Sequence, residues 1–336
     1  MKKVVWQTKT TVVADSFTIG KLSAGANGGN VYDVHAAEAL RNSFVVEMDF
    51  NTVMRTGENM FRYWMRMKRH AAEADVIIRE PYPIVFGNYK KGMKYVGMIH
   101  HIDDEIARSS FRHKWYFRRL KRKLRSLDLV ITVSEFWKSY LENIGCRNVE
   151  VIYNGFDLQE YNISVAMVEK FKSDYNIPAD KKLIYAGNAV KQKGIYDVYD
   201  ALKSEGYHLL MSGSRNQASD LPVQYLHLSR SEYIVMLHAC DLVISLSRMT
   251  EGWNRIAHEA LLCGTPVIGS GAGGMRELLE GAGQEIVVNP SYLADAVRTV
   301  LSNSKDYSSR GKEFALTFSR ENFNRHWNET INRLIS

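Results

Sequence analysis

The chain has 336 residues, 45% of them hydrophobic and 24% charged, with 44 Lys and Arg against 37 Asp and Glu for a formal charge of +7. That length makes two ordinary domains, and the composition excludes a disordered, collagen-like or low-complexity chain. Three widely spaced cysteines (Cys146, Cys240, Cys263), none in Cys-x-x-Cys spacing, argue against a disulfide framework and a structural zinc site and suit a reducing compartment.

The basic start Met1-Lys2-Lys3 has no apolar stretch behind it, so no signal peptide is expected. No run approaches the roughly 18–20 apolar residues that span a bilayer, so the expected location is cytoplasmic. Strand-length apolar runs are predicted at Val4–Trp6, Phe44–Met48, Val76–Ile78, Tyr95–Ile99, Leu129–Val133 and Val149–Ile152. A second series follows at Leu183–Ala186, His208–Met211, Val223–Leu226, Leu242–Leu246, Pro266–Gly269 and Glu285–Val288. Stretches with helical spacing, such as Val31–Leu40 and Ser134–Asn143, lie between them. Such alternation predicts parallel α/β sheets. Six strands per half favour two doubly wound domains over an eight-fold barrel, and the polar break Tyr161–Asp180 marks the entry to the second. The expected domains are residues 1–160 and 161–316. The segment Phe318–Ile335, with Phe318, Phe323, Trp327, Ile331 and Leu334 on one helical face, caps the second domain or returns to the first. Charge is uneven: residues 1–160 carry 25 basic and 18 acidic side chains, and the remainder balances. An anionic partner for the first half follows, whether nucleic acid, membrane surface or acidic substrate.

Several constellations carry chemistry. Gly25-Ala26-Asn27-Gly28-Gly29-Asn30, between the first strand and first helix, allows backbone to approach a ligand, although a plain flexible loop has the same composition. The strand Tyr95–Ile99 runs into His100-His101-Ile102-Asp103-Asp104-Glu105, placing imidazoles where α/β folds bind ligands. A general base, a donor to a hydroxyl, a His–carboxylate metal site and a satisfied strand-end His all remain open there. From Arg108 to Arg125 there are nine Lys and Arg and no acid, interleaved with Phe111, Trp115, Phe117, Leu120 and Leu124. Arg112, Lys114, Trp115, Arg118, Arg119, Lys121 and Arg122 are the candidates for an anionic membrane or acceptor. A solvated helix with its apolar face on the core reads the same residues; no RNA-binding motif or zinc-finger spacing accompanies them, so nucleic acid is not expected. Arg62–Arg69, with Tyr63, Trp64, Met65 and Met67, is a second basic stretch.

In the second half, Gly187-Asn188-Ala189-Val190-Lys191-Gln192-Lys193-Gly194 follows a strand and places a lysine where a phosphate can meet it, without P-loop order. The densest segment is Glu251-Gly252-Trp253-Asn254-Arg255-Ile256-Ala257-His258-Glu259, ahead of Cys263-Gly264-Thr265-Pro266. A helix beginning near Asn254 turns free N–H groups towards Glu251, an anion site. Glu259 lies eight positions after Glu251, up to ~12 Å along a helix. That is about the span from the sugar of a nucleotide sugar to its ribose; an amphipathic helix with one exposed and one capping Glu is the plain alternative. Gly269-Ser270-Gly271-Ala272-Gly273-Gly274 matches Gly-x-Gly-x-x-Gly. However, only 62 residues follow, and the next strand ends Val288-Asn289-Pro290 without the acid that holds a ribose, which argues against a dehydrogenase.

Taken in order, these residues resemble glycosyltransferase family 4, the group 1 retaining glycosyltransferases. Gly28-Gly29 sits where that family has Gly-Gly, and His100 at its strand-end His. Leu127–Ser134 is similar to its "aDxvixvS" strand and Ile152-Tyr153-Asn154-Gly155-Phe156-Asp157 to its "IpNGvD" motif. Gly187 to Gly194 is similar to its "GRlxxxKG" loop, and Glu251 with Glu259 to its paired glutamates. The resemblance implies the GT-B fold: α/β, two Rossmann-like doubly wound parallel-sheet domains facing across a cleft, acceptor in the first and donor in the second. It implies transfer of a hexose-type sugar from a nucleoside diphosphate sugar, UDP- or GDP-linked, to a glycan or lipid-linked acceptor, with no tightly bound cofactor. No Asp-x-Asp occurs, so a metal is not expected. Glu259 would hold the ribose, Glu251 the sugar, Lys193 the leaving diphosphate, and N–H groups around Trp253, Asn254, Arg255 and Ile256 the sugar or phosphate. Gly28, Gly29, Gly187 and Asn188 would line the donor site, and His100, or in a shifted registration His101, would contact the transferred sugar. Asn188 stands where the family has Arg, with Arg215, Arg248 or Arg255 as possible replacements for its charge. Asn254 stands where Gly is customary, and His258 where an apolar residue is. These departures tune the donor or mark a catalytically weakened sugar-nucleotide-binding protein.

Overall fold

Val76–Arg79, Leu129–Thr132 and Leu242–Ser245 are buried at every position. Strands buried on both faces form where helices cover both sides of a parallel sheet. The computed structural model describes residues 1–19, 28–70, 72–103, 109–213 and 220–336. It divides into two compact units, residues 1–155 with 320–336, and residues 156–319.

The first unit runs β1 (Lys3–Gln7), α1 (Thr11–Ile19), α2 (Gly28–Leu40), β2 (Val45–Met48), α3 (Met60–Arg69), β3 (Val76–Arg79), α4 (Pro81–Phe86), β4 (Lys94–Ile99), α5 (Phe111–Leu124), β5 (Leu129–Thr132), α6 (Glu135–Asn143) and β6 (Val149–Val151). The second runs α7 (Val165–Asp174), β7 (Leu183–Asn188), α8 (Ile195–Leu202), β8 (His208–Ser212), β9 (Gln224–Leu226), α9 (Arg230–Ala239), β10 (Leu242–Ser245), α10 (Arg255–Leu262), β11 (Val267–Gly269), α11 (Gly274–Gly281), β12 (Glu285–Ile286), α12 (Leu293–Ser302) and α13 (Ser304–Ala315); α14 (Arg320–Ile335) closes the chain. Each unit holds a six-stranded sheet whose paired strands are parallel, in the orders β2-β1-β3-β4-β5-β6 and β12-β11-β10-β7-β8-β9. The order therefore reverses between β1 and β3 in one sheet and between β7 and β10 in the other. Crevices at the carboxyl ends of such neighbours are where open α/β sheets bind ligands.

The last helix belongs to the first unit. Its Trp327 packs 5.8 Å from Trp6 and its Phe323 lies 5.1 Å from Tyr32 by ring centroids. Asn328 Nδ2 donates to the Ala39 carbonyl at 2.9 Å. Gly155 sits so tightly on Phe323 that a Cβ there would overlap its ring.

One helix of the second unit, α10, is anchored through an imidazole. His258 is fully buried and stacks on Phe156, with centroids 4.2 Å apart. Its Nδ1 accepts from the Trp253 indole at 3.0 Å, so Nε2 carries the proton and donates to the Ala315 carbonyl at 3.2 Å. Both ring nitrogens are thus used by the neutral tautomer, and burial pushes the pKa down to about 3. Above pH 6.5 neither the folded nor the unfolded state protonates this ring. Below it the unfolded chain takes up a proton that the folded chain refuses, and stability falls by up to roughly 1.4 kcal/mol per pH unit. The native chain should accordingly lose thermal stability between pH 6.5 and pH 4.5 more steeply than His258→Gln. Parallel losses in the two, followed by scanning calorimetry across that range, would remove His258 as the titrating group.

Candidate donor site in the second unit

Lys193 and Glu251 meet at the reversal point of the second sheet. Lys193 ends a short 3-10 turn, Lys191–Lys193, in the loop after β7; Glu251 lies in the loop after β10. Lys193 Nζ donates to Glu251 Oε1 at 2.5 Å, and both side chains are mostly buried. Two features force the loops together. Gly194, at φ 73°, lies against the Leu246 carbonyl with no room for a Cβ. The Arg248 N–H also donates to the Gln192 carbonyl at 2.9 Å.

The glycine run after β11 holds Glu251 from the other side. Glu251 N–H donates to the Ala272 carbonyl at 3.2 Å, and its own carbonyl accepts from Gly274 N–H at 2.9 Å. A Cβ on Gly273, at φ 68°, would overlap that carbonyl. The Gly-x-Gly-x-x-Gly match is therefore a brace for the Glu251 loop.

The helix α10 starts where the sequence places it, but Asn254 does more than precede it. It is one of two non-glycine residues with positive φ among the described residues, at 70°. Asn tolerates this left-handed conformation better than most residues, so it fills a position suited to Gly. Its Oδ1 accepts from Ala257 N–H at 2.9 Å and its Nδ2 donates to Ser245 Oγ at 2.8 Å. One helix-end amide expected to be free is thus capped by its own side chain. Arg255 and Ile256, half-buried, occupy the first turn. Trp253 is buried against His258 and Phe318.

Glu259, one turn further on, is 6% exposed at its side chain. Two guanidiniums fall on its Oε1: Arg255 NH2 at 3.3 Å and Arg230 NH1 at 3.0 Å. Arg230 was not among the sequence candidates. Its only sequence signal is a helix-start position after the Ser229 cap, shared by many solvated arginines.

Two of the cations proposed to replace the family's Arg, Arg248 and Arg255, have other partners. Asn188 turns inward, its Oδ1 accepting from Tyr185 Oη at 3.0 Å and Ser212 Oγ at 2.9 Å. Arg248 binds Asp197 bidentately, both contacts at 2.7 Å through NH2. Arg255 lies over the Phe156 ring at 4.6 Å. Arg215 lies outside the described residues. Gly187, at φ 92°, keeps the β7 exit open beside Ile244.

In the first unit, His100 Nε2 lies 2.9 Å from Asp33 Oδ1, with the Tyr32 ring edge-on to the imidazole at 5.0 Å. His101 is exposed. The expectation that Gly28 and Gly29 occupy a loop before the first helix is corrected: α1 precedes them, and they form the first turn of α2. Val13, Ala14 and Phe17 bury one side of α1, a pattern obscured by its Thr and Ser content. Gly25, Ala26, Asn27, Asp104, Glu105 and Arg108 lie outside the described residues. The basic run forms α5. Tyr116, Leu120 and Leu124 face the core, whereas Phe111 is 83% and Trp115 44% exposed. Among the described residues no helix is long and apolar enough to cross a membrane, and no three His, Cys, Asp or Glu side chains group as metal ligands.

Residues 29–160 match the model for Glycosyltransferase Family 4, and residues 167–315 that for Glycosyl transferases group 1. An uncharacterized glycosyltransferase of Methanocaldococcus jannaschii is 26% identical over 69% of this chain and 66% of its own. The chain spans only 66%, 51% and 49% of three curated relatives it matches. Sucrose-phosphate synthase from Thermosynechococcus elongatus superposes with a TM-score of 0.78 at 17% identity, covering 99% of both chains. Anabaena HepE, solved in complex with UDP and glucose, superposes with a TM-score of 0.75 at 20% identity over 99% of this chain and 100% of that one. Two six-stranded parallel sheets with flanking helices give this chain the GT-B fold. It belongs to the group 1 glycosyltransferases.

Proposed function

We propose that the chain transfers a hexose-type sugar, with retention of configuration, from a UDP- or GDP-linked donor to a glycan or lipid-linked acceptor in cell-envelope or glycoconjugate biosynthesis. The observation that carries this reading is the Lys193–Glu251 pair at the carboxyl ends of β7 and β10, beside the first turn of α10. A cation, a carboxylate and helix-end amides at a sheet's reversal point suit a sugar joined to a diphosphate. Glu259 would accept the ribose hydroxyls and Glu251 those of the sugar. Lys193 and the amides of Arg255 and Ile256 would carry the charge that grows as the anomeric C–O bond to the diphosphate breaks. The acceptor oxygen forms the new bond at that carbon and its proton passes to the departing phosphate. No metal is assigned a role, because the sequence lacks Asp-x-Asp and Lys193 supplies the cation. His100, aligned by Asp33, would contact the transferred sugar.

The catalytically weakened binder draws support from Asn188, an uncharged residue whose Oδ1 faces Tyr185 and Ser212. Thermal unfolding against UDP-, GDP-, dTDP- and ADP-sugars tests both readings. HepE binds UDP and glucose, which puts the uridine nucleotide first. A donor at 100 times its Kd should add about 2.7 kcal/mol, and Glu259→Ala should abolish the shift. Lys193→Ala should then lower kcat roughly 100-fold or more with far less change in donor affinity. No shift with any nucleotide would overturn the donor site, and binding without turnover would leave the silent binder.

We also propose that the first unit works on an anionic membrane face, at the inner side of the membrane. At about 100° per residue, Phe111, Trp115, Arg118 and Arg122 fall on the side of α5 opposite Tyr116, Leu120 and Leu124. Arg112, Lys114, Arg118 and Arg122 have no ion-pair partner among the described residues. Phe61 adds an exposed ring on α3, next to Trp64, over which Lys68 sits at 4.0 Å. Each basic residue near an anionic surface contributes about 1 kcal/mol, and exposed aromatics settle at the interface. Co-sedimentation should therefore be strong with phosphatidylglycerol vesicles, weak with phosphatidylcholine, and reduced by salt and by Phe111→Ser with Trp115→Ser. Equal binding to both lipids would remove the membrane reading.

A further inference from the structure

We infer that Arg230 is a positioning residue for nucleoside recognition: it fixes the rotation of the Glu259 carboxylate so that one oxygen is held by protein and the other is presented to the ribose. The inference rests on Glu259 being the ribose acceptor and adds a residue to that site.

The two guanidiniums that reach Glu259 both contact Oε1, at 3.0 Å from Arg230 and 3.3 Å from Arg255, leaving Oε2 outside these pairs. A carboxylate has lone pairs on both oxygens, and a ligand with paired hydroxyls needs at least one whole oxygen in a set orientation. At 6% exposure, Glu259 cannot rely on water to satisfy it, and a buried carboxylate without partners is costly. Arg255 alone does not fix the carboxylate. It lies one helical turn before Glu259 on α10, and its guanidinium is shared with the face of Phe156. Arg230 approaches from α9 and is itself held at its second nitrogen. NH2 donates to Tyr161 Oη at 2.8 Å and to Glu160 Oε2 at 3.2 Å while NH1 faces Glu259. A planar fork holds carboxylate and phenol on two separate nitrogens at a fixed angle, whereas a lysine offers its donors from a single, freely rotating point. Tyr161 is buried, so the anchor does not move freely.

The test is a coupling measurement by isothermal titration with UDP and 2′,3′-dideoxy-UDP on the whole chain, repeated with the guanosine pair if UDP gives no heat. In the native chain, loss of both ribose hydroxyls should weaken binding at least ~10-fold, as expected for hydrogen bonds to a charged acceptor. In Arg230→Gln that ratio should collapse towards unity, because the carboxylate no longer presents Oε2. Tyr161→Phe, a milder change, should reduce the ratio part way, and Arg230→Lys should restore less than half of it on a logarithmic scale. If Arg230→Gln weakens both nucleotides equally and leaves the ratio intact, Arg230 acts only through charge or fold, and the inference fails while the donor site stands. If Glu259→Ala leaves the native ratio unchanged, the ribose is held elsewhere and the donor reading fails with it.

Discussion

Lys193 and Glu251 are 58 positions apart in the chain, and the strand order of the second sheet is what lets them meet. The chain lays down β7, β8 and β9 in one direction, then returns to place β10 against the opposite edge of β7. The loops leaving β7 and β10 therefore emerge side by side. They approach so closely that Gly194 abuts the Leu246 carbonyl, and Gly273 abuts that of Glu251 on the other flank. Backbone contacts of this kind demand residues without a Cβ, which is why the glycines appear at these loops. The charges are consequences of that geometry. They are held in partly buried surroundings, where their attraction is stronger than in water and where an unpaired partner would be costly.

Most of the fold was legible because strands in a parallel sheet are buried on both faces and read as unbroken apolar runs. All twelve runs singled out in the sequence became strands, with ends moved by a residue or two. The helix α1 was not legible. Its Thr11, Asp15, Ser16 and Thr18 dilute the apolar stripe, and Ser16 and Thr18 satisfy themselves by donating to carbonyls one turn back. The aromatic content of α5 was visible, but its division was not. Only packing separates Tyr116, which joins the core, from Trp115, which stays partly in solvent. Arg230 was invisible for a different reason. Its value lies wholly in contacts with Glu160, Tyr161 and Glu259, brought together by tertiary structure, and no local pattern distinguishes it from an arginine at any helix start.

The two asparagines that depart from the family pattern have opposite physical meanings. Asn254 preserves what a glycine provides, a left-handed backbone, and adds a cap that the glycine lacks. It therefore rigidifies the start of α10 without altering the charge of the site. Asn188 stands where the family has a cation and directs its Oδ1 to the hydroxyls of Tyr185 and Ser212. On the proposed reading, only the second change would bear on catalytic strength, since it would lower the positive charge available to a leaving diphosphate.

That shortage gives the Lys193–Glu251 pair its significance on the proposed reading. Without a nucleotide, the cations of the site are matched to carboxylates: Lys193 to Glu251, and Arg230 and Arg255 to Glu259. A diphosphate brings more negative charge than either carboxylate and offers Lys193 a better partner. On that reading, as Lys193 turns to the phosphate, the Glu251 oxygen that faced it opens to a new donor, a role that suits a sugar hydroxyl. One exchange of partners would thus load both roles together, phosphate on the lysine and sugar on the glutamate.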